Sequence, residues 1–361
     1  MSTVLNFNAG PAMLPPPVLE KAQAELRDYR GRGMSIMEMS HRSKEYEAVN
    51  SDAESRIKKL LGLAEGYRAI FVQGGASSQF ATLPLNFLPT SSTADYIVTG
   101  SWGEKAIEEA ANIGQAHLAG STKADNYRRV PRADEIKLTD GSAYVHYTTN
   151  ETIQGVQWHA LPEVGDRPLV ADMSSDILSY PFDASKFSLI YAGAQKNLGP
   201  AGVTVVILRE SWLESANKKI PTMFRYGTHV KNNSLYNTPP TFGVYLLGLV
   251  LQWIDEIGGL EAMAKRNKAK ADTLYTAIDG SNGYYKGHAE ADSRSNMNVT
   301  FRLPNEALEK QFVSEAQAAG MVGLAGHRSV GGIRASIYNA CDVEACKALA
   351  TFMGDFAKKN G

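Results

Sequence analysis

Two polar residues stand where apolar runs end. Asp172 follows the run 169–171, and Lys196, 24 residues further on, comes just after the run 189–191. Either alone has an ordinary explanation: an aspartate there can cap a turn, and most lysines lie on solvated surface. The neighbours of Lys196 are unusual, however. Ala192, Gly193 and Ala194 precede it, and Gly199, Pro200, Ala201 and Gly202 follow, so no bulky side chain competes for the space beside it. A third feature is the stretch 71–79, Phe-Val-Gln-Gly-Gly-Ala-Ser-Ser-Gln, which reads as a strand leading through two glycines into a helix. Backbone N–H groups at such a helix start suit an anion such as phosphate, although plain strand-to-helix turns look the same. A fourth is Trp102, placed after Gly100 and Ser101 behind the run 96–98, either to stack on a flat ligand or to fill the core.

An amine, a carboxylate, an anion turn and a flat aromatic together suit one cofactor above others. Pyridoxal 5'-phosphate needs a lysine for its covalent link, an acid facing its pyridine nitrogen and a cup for its phosphate. Competing chemistries lack their signatures. Gly31-Arg32-Gly33 has no third glycine and follows no strand, Gly74-Gly75 is followed by no Gly-Lys-Ser/Thr, and no Gly-x-Ser-x-Gly is present. The seven histidines form no zinc-type pair four residues apart, so no metal site is expected.

The elements that must position these residues alternate. Short runs rich in β-branched and aromatic residues lie at 69–72, 96–98, 144–147, 169–171, 189–191 and 203–208, and several lack polar alternation, which predicts strands covered on both faces. Helical stretches lie between some of them, such as 102–112, with Ser101 placed to cap it. The expected fold is α/β, a mostly parallel sheet with helices on both faces and ligands at the C-terminal strand ends. Beyond the buried apolar helix 244–254 the pattern changes to helix 260–278, strand 298–302, helix 306–318, strand 332–337 and helix 343–358. These form a smaller α+β domain. The reading is therefore a large domain over 16–263, a small C-terminal domain over 264–361, and an N-terminal segment, 1–15.

Composition limits the alternatives. With 361 residues, 37 Lys+Arg against 38 Asp+Glu and 43% hydrophobic residues, the chain is long enough for two cores and too near neutrality for a nucleic-acid coat. The longest apolar stretch is shorter than the roughly 18–20 residues of a membrane span. Cys341 and Cys346 cannot build a disulfide framework, so a reducing, cytoplasmic setting is expected.

Several stretches resemble the phosphoserine aminotransferase family of pyridoxal-phosphate enzymes, and the likeness covers nearly the whole chain. They are Asn6-Phe7-Asn8-Ala9-Gly10-Pro11-Ala12, Ser40-His41-Arg42, the run 146–155 containing Asn150-Glu151-Thr152, Ala192-Gly193-Ala194-Gln195-Lys196-Asn197, Tyr236-Asn237-Thr238-Pro239-Pro240-Thr241 and the run 326–339. The resemblance implies the aspartate-aminotransferase-like fold, fold type I, with the N-terminal segment packed near the active site. It makes Lys196 the cofactor-linked lysine, Asp172 the partner of the ring nitrogen, Trp102 the stacking aromatic and Thr152 the neighbour of the ring hydroxyl. Gln195, Ala76 and Ser77 are implied phosphate ligands, joined by Asn237 and Thr238 from a second subunit of a homodimer with shared sites. Arg334 would hold the substrate α-carboxylate, while His41, Arg42, His327 and Arg328 would meet the distal anion.

The implied reaction passes an amino group from L-glutamate to 3-phosphohydroxypyruvate, giving O-phosphoserine and 2-oxoglutarate in serine biosynthesis. Some bacterial members also act on 3-hydroxy-2-oxo-4-phosphobutanoate in pyridoxine biosynthesis. One departure stands out: some members have Gly-Arg where this chain has Ala76-Ser77, so that cationic charge is absent here. Two rivals remain: another enzyme of the same fold, a serine–glyoxylate-type aminotransferase or cysteine desulfurase, which would keep the lysine and aspartate, and a non-catalytic binding protein on the same fold, against which the retained pair argues.

Overall fold

The computed structural model describes residues 4–361. Seven strands form the main sheet: β1 (Tyr67–Val72), β2 (Thr93–Val98), β3 (Gln115–Ser121), β4 (Val145–Thr148), β5 (Leu169–Asp172), β6 (Leu189–Gly193) and β7 (Thr204–Arg209). Their order is β1-β7-β6-β5-β4-β2-β3. All pair in parallel except β7, which runs antiparallel to β1 and β6.

Alternation along the strands explains why the predicted runs are largely apolar. Ile70, Tyr96, Val98, Val170, Tyr191 and Val206 face one side, against Phe80 and Leu83 of helix Gly75–Phe87 and Ala106 of helix Ser101–Ala111. Ala69, Phe71, Ile97, Val145, Ala171, Ile190 and Val205 face the other, against Ile57 of helix Lys44–Leu60 and the apolar helix Thr241–Glu256. Both faces are buried, so neither needs polar residues. Each fully buried Val, Ile, Leu or Phe contributes about 1.5–3 kcal/mol of transfer free energy.

Two expectations differ from the structure. Strand β3, sequence Gln-Ala-His-Leu-Ala-Gly-Ser, has no apolar run because it is the sheet edge and most of its residues stay open to solvent. Ser101 does not cap the helix it precedes in sequence. It is the first helical residue, the N-cap position is Gly100, and the cap comes from a different part of the chain.

Beyond the sheet, helix Gly259–Asp279 links two cores. Leu260 and Met263 belong to the large one, and Ala271, Leu274 and Ile278 to a second. The second core lies on an antiparallel three-stranded sheet, Lys286–Gly287, Asn298–Arg302 and Ile333–Ser336. Helices Glu306–Ala318 and Val343–Asn360 cover it, started by the side chains of Asn305 and Asp342, which accept from Leu308 N and Ala345 N. The N-terminal segment joins this unit: Leu5–Asn6 pairs in parallel with Met321–Val322, and Phe7 is fully buried among its residues. Among the described residues no single helix is long and apolar enough to cross a membrane.

Candidate active site

Register brings Asp172 between Thr148 on β4 and Tyr191 on β6, at the C-terminal strand ends. Its side chain is buried and accepts a hydrogen bond from Ser174 N at 2.8 Å. Burial raises the carboxyl, while Ser174 and the positive charge of Lys196 pull it back. Below it, Asp176 takes a short 2.5 Å bond from Thr149 Oγ1 and a longer one from Gln157, and burial raises it to about 7.

Lys196 leaves β6 through Ala194 and Gln195, and its amine donates to Thr152 Oγ1 at 2.6 Å. Nζ lies 5.6 Å from the centre of the Trp102 ring. The side chain is half-buried. Burial pushes the amine down to about 8, with Asp172 and Glu151 drawing it the other way. Gly10 approaches this side chain closely enough that a Cβ there would lie 3.5 Å from Lys196 Cγ, and Ala12 N donates to Gln195 O at 2.8 Å.

Trp102 is the second residue of the helix after β2, and its position depends on one short loop. Glu151 accepts from Trp102 N at 3.0 Å and from Gly103 N at 2.9 Å, while Gln154 accepts from Ser101 N at 3.3 Å. A Cβ on Gly100 would lie 2.5 Å from Glu151 Cδ, so the glycine lets the carboxylate reach the free N–H groups. Burial raises Glu151 to about 7, against the two backbone hydrogen bonds. The segment 151–154 therefore holds the lysine through Thr152 and the tryptophan through Glu151.

The glycine turn is present. Gly74 has φ +97° and a Cβ there would lie 2.6 Å from Ser78 Cβ, so the sequence needs glycine to place Ala76 and Ser77 in the first helical turn. Nitrogens in that turn have no acceptor within the helix.

The remaining residues split into two groups. Arg334 lies on strand Ile333–Ser336, half-buried, with Nε lacking a partner, and burial lowers its pKa. His327 is also pushed down, first by burial and then by the charges of Arg334, Arg328 and Lys105, which face it. Arg328 is exposed and lines a surface depression with Arg302, Glu309 and Lys310. His41 lies elsewhere in contact: its Nδ1 meets Thr238 Oγ1 at 3.2 Å, while Arg42 is exposed. Asn237 lines a cavity of about 160 Å³ with Gln73, Ser78 and Tyr226.

Sequence reasoning singled out neither Glu151 nor Lys105. Glu151 stood within the matched run 146–155, but nothing local reveals that it caps a helix some fifty residues earlier. Lys105 Nζ lies 4.5 Å over the Trp102 ring, one turn along the same helix, a spacing that could have drawn attention to it.

The residues fit pyridoxal phosphate by their own chemistry. Trp102 Nε1, Thr148 Oγ1 and Arg334 Nε are buried polar atoms without partners, and the amine and the acid stand at adjacent strand ends. Fold and site define a pyridoxal-phosphate-dependent aminotransferase of fold type I, and residues 4–349 match the class-V aminotransferase family model. The chain belongs to the phosphoserine aminotransferase family. It is 62% identical to phosphoserine aminotransferase of Herpetosiphon aurantiacus over 99% of this chain and 100% of that one. The crystal structure of phosphoserine aminotransferase from Bacillus circulans subsp. alkalophilus superposes with a TM-score of 0.98 at 57% identity, covering 100% of both chains. The pyridoxal-phosphate-bound enzyme of Trichomonas vaginalis gives 0.93 at 40% identity, covering 97% of this chain and 99% of that one.

Proposed function

We propose that this chain transfers the amino group of L-glutamate to 3-phosphohydroxypyruvate, yielding 2-oxoglutarate and O-phosphoserine, with pyridoxal phosphate linked to Lys196. The observation that carries this reading is the Lys196 amine, hydrogen-bonded to Thr152 and held near pH 8 beside Trp102 and Asp172. Thr152 would meet the ring hydroxyl, Trp102 a ring face and Asp172 the ring nitrogen, with Ala76, Ser77 and Gln195 at the phosphate. When bound, the cofactor supplies an electron sink for the pair left behind as Cα loses its proton.

The chain's own groups do the rest. Burial makes the Lys196 amine give up its proton far more readily than an ordinary lysine, and the hydrogen bond it donates to Thr152 Oγ1 holds it in place. Asp172 in its anionic form would favour a protonated ring nitrogen. Arg334 offers an unpaired guanidinium edge to the α-carboxylate, the planar partner it fits best. His327, Arg328, His41 and Arg42 meet the distal phosphate or carboxylate.

The site is completed by a second copy, through the partner subunit's Asn237 and Thr238. Exposed apolar side chains at Met34, Met37, Met223, Phe224 and Tyr236, the last beside Asn237, support such an interface. His41 Nδ1 lies 3.2 Å from Thr238 Oγ1, so His41 and Arg42 would stand with Thr238 at the partner's site. The two cores support a division near residue 264, and two buried free thiols suit a reducing compartment. Half-reactions followed by visible absorbance test the reading: O-phosphoserine and L-glutamate should each convert the bound cofactor, while L-serine and L-alanine should not. Equal turnover of L-serine overturns it. Mixing Lys196→Ala with Thr238→Tyr under subunit exchange should restore activity, and no recovery removes the shared-site model.

A further inference from the structure

We infer that Arg302 and Glu309 form a clasp that sets the position of loop 326–332, and through it the affinity for the phosphorylated substrate. The inference rests on the reading above that His327 and Arg328 meet the distal anion. Neither member of the pair lies in a motif of the chain, and neither touches the lysine or its neighbours.

The loop is closed on itself. Its neck is made by Gly326 N donating to Gly332 O at 2.8 Å and by the bridge between Ala325 and Ile333. Its tip is shaped by Val330 N and Gly331 N, which donate to His327 O at 2.9 and 2.8 Å, and by His327 Nδ1 meeting Ser329 Oγ at 2.7 Å. These bonds fix the loop's shape without fixing where it points. Arg328, Ser329 and Val330 are exposed, so no apolar burial anchors the tip.

Among the described residues, the polar ties from 326–332 to the body of the domain come from the clasp. Arg302, the last residue of its strand, donates from Nη1 to Val330 O at 2.9 Å. Glu309, in the first turn of helix Glu306–Ala318, accepts from Gly332 N at 3.2 Å through Oε2. Its Oε1 takes Arg302 Nε at 2.6 Å and Leu303 N at 3.3 Å. The glycines are required for this approach: Gly332 has φ +73°, and a Cβ there would lie 2.7 Å from Arg302 Cδ and 2.9 Å from Phe301 O. The Glu309 side chain is only 8% exposed, so its carboxylate depends on these donors, and removing one leaves a buried charge short of partners.

Arg302 and Glu309 are positioning residues. Breaking the clasp lets the tip swing while the lysine, acid and tryptophan stay in place, so the loss falls on substrate capture, not on proton transfer. Glu309→Gln and Arg302→Gln should each raise KM for O-phosphoserine about ten-fold with kcat within about two-fold, and raise KM for L-glutamate less, because its carboxylate carries one charge fewer. The double variant should be no worse than the worse single, as expected for two groups acting as one unit. Arg302→Lys, which keeps the charge but not the fork, should fall between. Hydrogen exchange at Val330, Gly331 and Gly332 should accelerate in the variants, and the cofactor titration should be unchanged.

Arg328→Ala separates the two layers of the argument. If Arg328→Ala raises KM for O-phosphoserine while both clasp variants leave it unchanged, the clasp is refuted and the substrate reading stands. If Arg328→Ala also changes nothing, the substrate reading has failed and the clasp falls with it. A lowered kcat at unchanged KM, or altered cofactor uptake, likewise overturns the inference. Should Glu309→Gln not fold, the half-exposed Arg302 variant and its exchange rates decide the matter alone.

Discussion

The cofactor half of the site and its substrate half are built on opposite principles. Asp172, Thr152 and Glu151 are buried at strand ends or in the loop beside them, and each side chain makes a hydrogen bond. Arg334, His327 and Arg328 stand on the small domain, partly or fully exposed, with the Arg334 Nε unpaired. The first half is held between the two packed faces of the main sheet; in the second, Arg334 stands on a strand of the small domain's core, while His327 and Arg328 sit on a glycine loop held by a few polar ties. A group that must stay fixed through the reaction is gripped by the core. Substrates that differ between the half-reactions, phosphate in one and carboxylate in the other, meet groups that keep room to adjust.

That contrast predicts all-or-none losses on one side and graded ones on the other. The largest should come from Lys196→Ala, which removes the amine that links the cofactor: no borohydride-stable adduct forms and turnover disappears. An adduct of undiminished yield in that variant would assign the linkage to another lysine. Next, Asp172→Asn should retain the cofactor but slow Cα proton removal by several orders of magnitude, measured in single turnovers with α-deuterated substrate. Near-normal rates would erase the difference between the two halves.

On the open side the effects should be smaller and appear in KM. Arg42→Ala or Arg328→Ala should cost about 1.5–3 kcal/mol of O-phosphoserine binding per lost charge-assisted bond and leave the cofactor spectrum intact. Arg334→Ala should weaken every amino acid alike, because all share the α-carboxylate. Selective loss for O-phosphoserine in that variant would exchange the two roles.

Glu151 sharpens the comparison from the buried side, since it acts on Trp102 without touching the cofactor. Glu151→Gln keeps one acceptor for the two N–H groups, so cofactor affinity should fall about ten-fold and the tryptophan fluorescence of the cofactor-free protein should shift. Identical fluorescence and affinity would show that the helix keeps its place unaided.

The smallest effect is a displacement in pH. Attack by Lys196 needs the neutral amine, so cofactor uptake by the cofactor-free protein should rise with pH and level off above about 8 instead of near the ordinary lysine value. Asp172 raises that pKa, and its replacement by Asn should move the midpoint lower still. Stability has the same origin: burial disfavours the charged amine, so Lys196 costs most below pH 8, and the cost shrinks as pH rises from about 8 to the ordinary lysine value of 10.5, where the unfolded chain loses the proton too. A midpoint near 10 would mean that the amine is not dry.

Much of the frame was determined by the sequence alone. Six of the seven strands of the main sheet are visible in it because strands covered on both faces are mostly apolar, with few buried polar residues such as Asp95 and His146 among them. Asp172 and Lys196 were legible for the same reason, as polar residues at the ends of those runs. The Gly74 turn was legible because only glycine tolerates its backbone. Tertiary structure decided the rest. Strand β3 has no signal because an edge is half solvated. Ser101 has the right type for a cap, yet Glu151 takes the role, since a carboxylate brought from a neighbouring loop outcompetes a local hydroxyl for two N–H groups. The contact of His41 with Thr238 spans 197 positions. Such pairings depend on where the backbone carries each residue, and a one-dimensional pattern records only what each residue needs, not who supplies it.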